Sequence, residues 1–171
     1  GSFVEYGGLA VASQRSRHSL DDLLRISPAD GMVTGLATVN SALFGAERSR
    51  CAVLSYDYTV FAGTQGVTNH RKTDRLLALA QQWQLPTLLF VEGGGGRPGD
   101  DWPTPAGLDT HTFTSLGALS GLVPTVAIVA GRCFAGNAAL AGACDLIIAT
   151  ADANLGMGGP AMIEGGGLGV Y

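Results

Sequence analysis

The chain alternates short apolar runs with glycine-rich or polar breaks, and the runs are of two kinds. MVTGLATVN (32–40), RCAVLSYDYTVFAG (50–63), LPTLLFVEG (85–93), VPTVAIVA (123–130) and LIIAT (146–150) are rich in β-branched and aliphatic residues over a strand's length. Turn residues bound them, so the first four are predicted as strands, with the polar GAERSR joining the first two as a hairpin, and LIIAT is a further apolar run. LPTLLFVEG is nearly continuous, which predicts burial on both faces and helices on either side. NHRKTDRLLALAQQWQ (69–84) instead sets Leu76, Leu77, Ala80 and Trp83 at helical spacing with charges opposite. It reads as an amphipathic helix with Trp83 in the core, ended by Pro86. SLDDLLRI opens on Ser19 with Asp22 three residues later, a capping signal for a short peripheral helix that Pro28 stops. Two more helices are predicted, one from about Asp109 to Ser120 and a short one of small residues from Gly136. Strand, strand, helix, then strand and helix twice, is the order of an α/β domain with crossover connections.

Length and composition narrow this to one domain. At 171 residues the chain can bury roughly two-thirds of its unfolded surface. Hydrophobic residues make up 46%, yet no uncharged apolar run reaches the ~18–20 residues of a membrane span, so a soluble, cytoplasmic protein without membrane contact is expected. The N-terminal GSFVEYGGLAVASQ lacks the basic start and cleavage pattern of a signal peptide. A net charge of −4 without a basic cluster argues against nucleic acid. Twenty-six glycines against 14% charged residues predict many tight turns and surface covered by other protein. Cys51, Cys133 and Cys144 lie in or beside apolar runs with no CxxC pair, and read as small buried thiols.

The chemistry concentrates in glycine-rich breaks. Gly94 to Gly99 match GxGxxG after a strand, but Pro98 and DDWPTP cannot propagate the helix a dinucleotide site requires. No GxxxxGK[ST] or GxSxG motif occurs, and His18, His70 and His111 sit on separate segments without metal-ligand spacing. Each reads as a surface or packing histidine, and no metal is expected. GGGGRPGDDWPTPAG is a loop by composition. At GRCFAGN (131–137) a strand hands over to a helix, and free backbone N–H groups collect there. Gly136 lets a ligand approach the main chain. The same corner can equally be nothing more than close packing.

PADGMVTGLATVN (28–40), VEGGGGRPGD (91–100), GRCFAGN and LGMGGPAMIEGGGLG (155–169), in that order and with Cys144-Asp145 between the last two, resemble the crotonase superfamily. Within it they resemble the carboxyltransferase of biotin-dependent acyl-CoA carboxylases. The resemblance implies a crotonase-like ββα-repeat superhelix, truncated at its C-terminal end. Residues 1–171 would be most of an N-terminal carboxyltransferase domain from a longer chain. It implies carboxyl transfer from carboxybiotin, borne on a carrier domain or protein, to the α-carbon of an acyl-CoA.

By the same resemblance, Ala135 and Gly136 fall on two oxyanion-hole glycines, and Gly95, Gly96 and Arg97 lie against the acyl-CoA. Ala135 departs from glycine, although its backbone N–H can still donate. The family's Ile-Gln-Glu after that arginine is Pro98-Gly99-Asp100 here. Arg71 and Lys72 are candidates for the CoA phosphates, or simply a solvated helix face. The implied partners are a C-terminal carboxyltransferase domain from another subunit, the biotin carboxyl carrier and biotin carboxylase, in a homo-oligomer, with the isolated piece inactive. The absence of a four-cysteine zinc ribbon points to a propionyl-type subunit or a fused carboxylase. An enoyl-CoA hydratase or isomerase is the alternative, but the superfamily's Pro-Glu is Pro160-Ala161 here and Glu164 is not aligned with it. A non-catalytic assembly half is the third reading.

Overall fold

The computed structural model describes residues 2–101 and 111–167. A six-stranded sheet runs β1 (Phe3–Tyr6), β2 (Met32–Thr38), β3 (Arg50–Tyr56), β4 (Thr87–Phe90), β5 (Thr125–Val129) and β7 (Leu146–Ala149). β1 and β3 pair antiparallel with β2, in a register that sets Met32 opposite Tyr56 and Thr38 opposite Arg50. From β3 onward the strands are parallel. The β2–β3 connection is longer than the polar turn expected, since residues 39–49 carry the short helix α2 (Ser41–Phe44), but it still returns the chain antiparallel, whereas the parallel neighbours need a crossover. The long crossover helix is α3 (Val67–Trp83), and it packs on β2 and β3. The shorter α4 (Thr112–Gly117) packs on α3, and α5 (Gly136–Gly142) packs on β5. Between these layers Leu54, Leu76, Leu77, Leu89, Ala127 and Leu140 form the core.

Several expectations hold in detail. Helix α1 (Leu20–Ile26) is capped by Ser19, whose side chain accepts from the Asp22 amide. Leu76, Leu77 and Ala80 are buried on α3. The three cysteines are free, Cys51 and Cys133 buried and Cys144 only half-buried, and burial pushes the Cys133 thiol up to about 12 and Cys144 to about 11, so neither is a thiolate near neutrality. His18 and His111 are exposed. His70 is buried and bonds Thr112 Oγ1 through Nδ1 at 2.8 Å, with Thr112 in turn donating to Asp74, which ties α3 to α4. Burial lowers the His70 pKa, against the pull of the Asp74 charge.

Other expectations are corrected. Trp83 is 46% exposed at the end of α3, with the Arg50 guanidinium 5.6 Å from its ring centroid, so it is a surface cation–π partner. Lys72 is buried rather than facing a phosphate, and its Nζ donates to the carbonyls of Ala29 and Met32. β4 alternates, with Thr87 and Leu89 buried but Leu88 and Phe90 half-buried, so its two faces are not equally covered. β3 stops at Tyr56 because Asp57 turns the chain, its carboxylate accepting the Thr59 amide at 2.9 Å and its carbonyl the Val60 amide at 3.0 Å, and Phe61, Ala62 and Gly63 then take positive φ. β1 was unanticipated, as was a two-stranded sheet of β6 (Arg132–Phe134) and β8 (Asn154–Gly156). Of the helix expected from Asp109, the first two residues lie outside those described.

Candidate active site

Two motifs that are far apart in sequence meet at the start of α3. Asp30, from the turn before β2, accepts the Asn69 amide on Oδ2 at 2.7 Å. Asp100 accepts the Val67 amide at 2.8 Å and the Gln14 side chain at 3.0 Å. Carboxylates are favoured there because first-turn amides lack intrahelical acceptors and the helix dipole is positive. Arg97 stands between them. Its guanidinium pairs with Asp30 and donates to Thr64 O at 2.9 Å and Asp30 O at 3.3 Å, with Asp100 Oδ1 at 3.8 Å and the Phe61 ring centroid at 4.9 Å. The residue is 5% exposed, so the side chain expected against an acyl-CoA turns inward and anchors its loop. Burial pushes the Asp30 carboxyl above its usual value, while the Arg97 charge and hydrogen bond act in opposition.

The anchored loop is pinned on both sides through its backbone. Gln65 donates to Gly95 O and accepts from the Arg97 amide, each at 2.7 Å. Across the loop, Gly93 donates to Arg132 O and accepts from the Phe134 amide, each at 2.8 Å. The Gly94 amide bonds Ala62 O at 3.2 Å, and the Gly95 amide bonds Asn137 Oδ1 at 2.9 Å. Only the Gly96 amide of this run has no acceptor among the described residues, and a Cβ added at Gly96 would meet open space.

At Gly95 φ is +86°, and a Cβ there would lie 2.5 Å from Ala135 Cβ and 3.4 Å from the Gly136 nitrogen. The glycine loop therefore abuts the β6–α5 turn, and Gly95, Gly96, Ala135 and Gly136 come together. Ala135 does not contribute the donor expected of it, because its amide bonds Gly156 O at 3.1 Å. The Gly136 amide has no acceptor among the described residues. Gly96 and Gly136 thus each carry an amide without an acceptor among the described residues, on backbones that abut where Gly95 meets Ala135. Such donors stabilise an oxygen that gains negative charge.

Ala135 has φ 51° and ψ −120°, a corner conformation that glycine adopts freely and alanine only under strain. We expect Ala135→Gly to stabilise the protein by about 1 kcal/mol, read from the denaturant midpoint, with kcat little changed. A destabilised variant would show that the turn carries no strain.

Among the described residues no group of three His, Cys, Asp or Glu side chains could hold a metal, and no helix is long and apolar enough to cross a membrane. A cavity of about 420 Å3 lined by Tyr6, Thr34, Lys72, Arg75, Leu76 and Leu79 contains none of the site residues. Asp30, Gln65 and Asn137 are the residues that sequence reasoning missed. The only signals were a charged residue in PADG and an asparagine in a helix of Gly and Ala.

Residues 1–166 match the family model described as carboxyl transferase domain. The chain belongs to that family. The methylmalonyl-CoA carboxyltransferase 12S subunit of Propionibacterium freudenreichii subsp. shermanii is 32% identical over 139 residues, which span 81% of this chain and 25% of the relative. The biotin-dependent long chain acyl-coenzyme A carboxylase beta4 subunit of Mycobacterium tuberculosis is 32% identical over 156 residues, 89% of this chain and 26% of the relative. The chain thus spans about a quarter of these relatives. Among solved structures, a single-chain, multi-domain long-chain acyl-CoA carboxylase superposes with a TM-score of 0.91 at 65% identity, covering 100% of this chain and 17% of that one. The transcarboxylase 12S hexamer core with hydrolysed methylmalonyl-coenzyme A bound superposes with a TM-score of 0.78 at 29% identity, over 99% of this chain and 31% of that one. The crotonase-like α/β fold expected of the carboxyl transferase domain is the fold present.

Proposed function

We propose that this domain forms the acyl-CoA side of carboxyl transfer in a biotin-dependent carboxylase acting on long-chain acyl-CoA, within a single polypeptide of several domains. The observation that carries the reaction is the pair of unengaged amides at Gly96 and Gly136 on abutting loops. The long-chain substrate and fused architecture rest on the 65% identity to a carboxylase of that description. The partners are then a C-terminal carboxyltransferase domain, a biotin carrier and a biotin carboxylase.

The thioester oxygen sits between the Gly96 and Gly136 amides and comes from the Gly96 side, where a Cβ would meet open space; at Gly136 the room expected for a ligand is taken by Gln65. Removing an α-proton places charge on that oxygen, and two N–H dipoles already in place stabilise it without reorganising. The donors described are main-chain groups, which suits a reaction in which the donor group, and not this domain, handles the proton. When bound, carboxybiotin supplies the carboxyl group and, after releasing it, a base. The residues described here fit the acyl-CoA half alone, with backbone donors and no side-chain cage for a ureido ring.

The test is biotin-dependent carboxylation of a long-chain acyl-CoA by the holoenzyme, with and without avidin, together with Gly96→Ala. A Cβ at Gly96 is free of contacts within 4 Å, so folding should be unchanged. If that space holds the acyl-CoA, overpacking of about 1–3 kcal/mol should lower kcat/KM roughly 10- to 100-fold. A wild-type kcat/KM in Gly96→Ala would place the substrate elsewhere.

A further inference from the structure

Asn137 is the second residue of α5, and its side chain is fully buried at 0% exposure among glycines and alanines. A carboxamide is costly to bury unless both of its polar ends are satisfied. Here they are. Oδ1 accepts the Gly95 amide at 2.9 Å, and Nδ2 donates to Gly63 O at 3.2 Å. One side chain therefore joins the turn after β3, the glycine loop after β4 and the first turn of α5. Its orientation is fixed, because a flipped amide would set donor against donor and acceptor against acceptor. Its position is fixed too. A Cβ on Gly93 would approach Asn137 Cγ to 2.7 Å, so the glycine loop lies directly on the carboxamide.

The two peptides adjoining this staple carry the unengaged donors. The Gly95–Gly96 peptide bears the Gly96 N–H, and Gly136 immediately precedes Asn137. We infer that Asn137 is a positioning residue for carboxyl transfer, its carboxamide setting the separation and mutual angle of the Gly96 and Gly136 amides. This rests on the reading of those amides as the thioester-oxygen site. A donor pair held by one shared side chain is aligned before substrate arrives, and a misplacement of about 1 Å in such a site can cost 10²-fold in rate.

The experiment uses the holoenzyme with Asn137→Ala and the isosteric Asn137→Asp. Two CoA probes are compared, a dethia ketone analogue with its carbonyl where the thioester carbonyl lies, and an S-alkyl-CoA thioether that lacks one. Wild type should prefer the ketone. Asn137→Ala should lower kcat about 100-fold and lose that preference, while thioether affinity stays within about twofold. Asn137→Asp can both accept and donate when its carboxyl is protonated, so its kcat should recover as pH falls, a limb absent from wild type. That profile decides the matter even if Asn137→Ala fails to fold. The inference is overturned by a folded Asn137→Ala with normal kcat and intact preference, by equal loss of both probes, or by a flat relative pH profile for Asn137→Asp. No preference in wild type would instead remove the oxyanion reading itself.

Discussion

Gly136→Val should lower kcat for acyl-CoA carboxylation by about 10²- to 10³-fold in an otherwise folded enzyme, the roughly 3–4 kcal/mol attributed to one oxyanion donor. Gly136 does not occupy the left-handed region, so the backbone accepts a side chain there. The obstacle is packing. A Cβ would overlap Gln65 Oε1 and lie 2.9 Å from Gln65 Cδ. Gln65 is 2% exposed, its Nε2 donates to Tyr56 Oη at 3.2 Å, and its backbone pairs with Gly95 and Arg97. A wedge against Gln65 is therefore passed to the glycine loop, moving the Gly96 amide away from the Gly136 amide. The measurement is kcat alongside circular dichroism and affinity for a CoA thioether, which reports the rest of the site. A folded Gly136→Val with near-normal kcat would mean that the oxyanion site lies elsewhere.

Arg97→Met should be the most destabilising single change, at about 3–5 kcal/mol, because it leaves the Asp30 carboxylate buried without its counter-charge. Burial already pushes the Asp30 carboxyl upward, and removing Arg97 removes the opposing influence. With a folded-state pKa above the unfolded value, the native state binds more protons, and stability falls as pH rises. The loss should therefore be smaller at pH 5 than at pH 8, and Asp30→Asn combined with Arg97→Met should recover part of it. Urea midpoints across that range decide this. A pH-independent loss below about 1 kcal/mol would show that the pair contributes little.

Much of the scaffold was legible because it is governed by local period. Leu76, Leu77 and Ala80 declare a helical face, VPTVAIVA declares a strand, and Ser19 with Asp22 declares a cap. Misreadings came where the local pattern was true but something else decided. YTVF reads as strand, yet the chain must turn there to bring Gln65 beside Gly95. Trp83 has helical spacing but sits at the last position of α3, where its ring meets Arg50 instead of the core. RCF and NLG are too short to show any period, and their pairing exists only in three dimensions. The glycine loop and the β6–α5 turn were legible through resemblance. What holds them was not, since Asp30 lies 67 residues from Arg97 and Asn137 42 from Gly95, and no local signal links such pairs.

That both donors are main-chain groups has a consequence for mutational scanning. Side-chain replacement cannot delete either N–H, and proline alone among the residues lacks the hydrogen. Truncating side chains would therefore report Gln65, Arg97 and Asn137, the scaffold around the chemistry, while Gly96→Ala reports the space beside a donor and not the donor itself. Amide-to-ester exchange at Gly96 and Gly136, which removes one hydrogen and changes no side chain, is the perturbation that reads the centre directly.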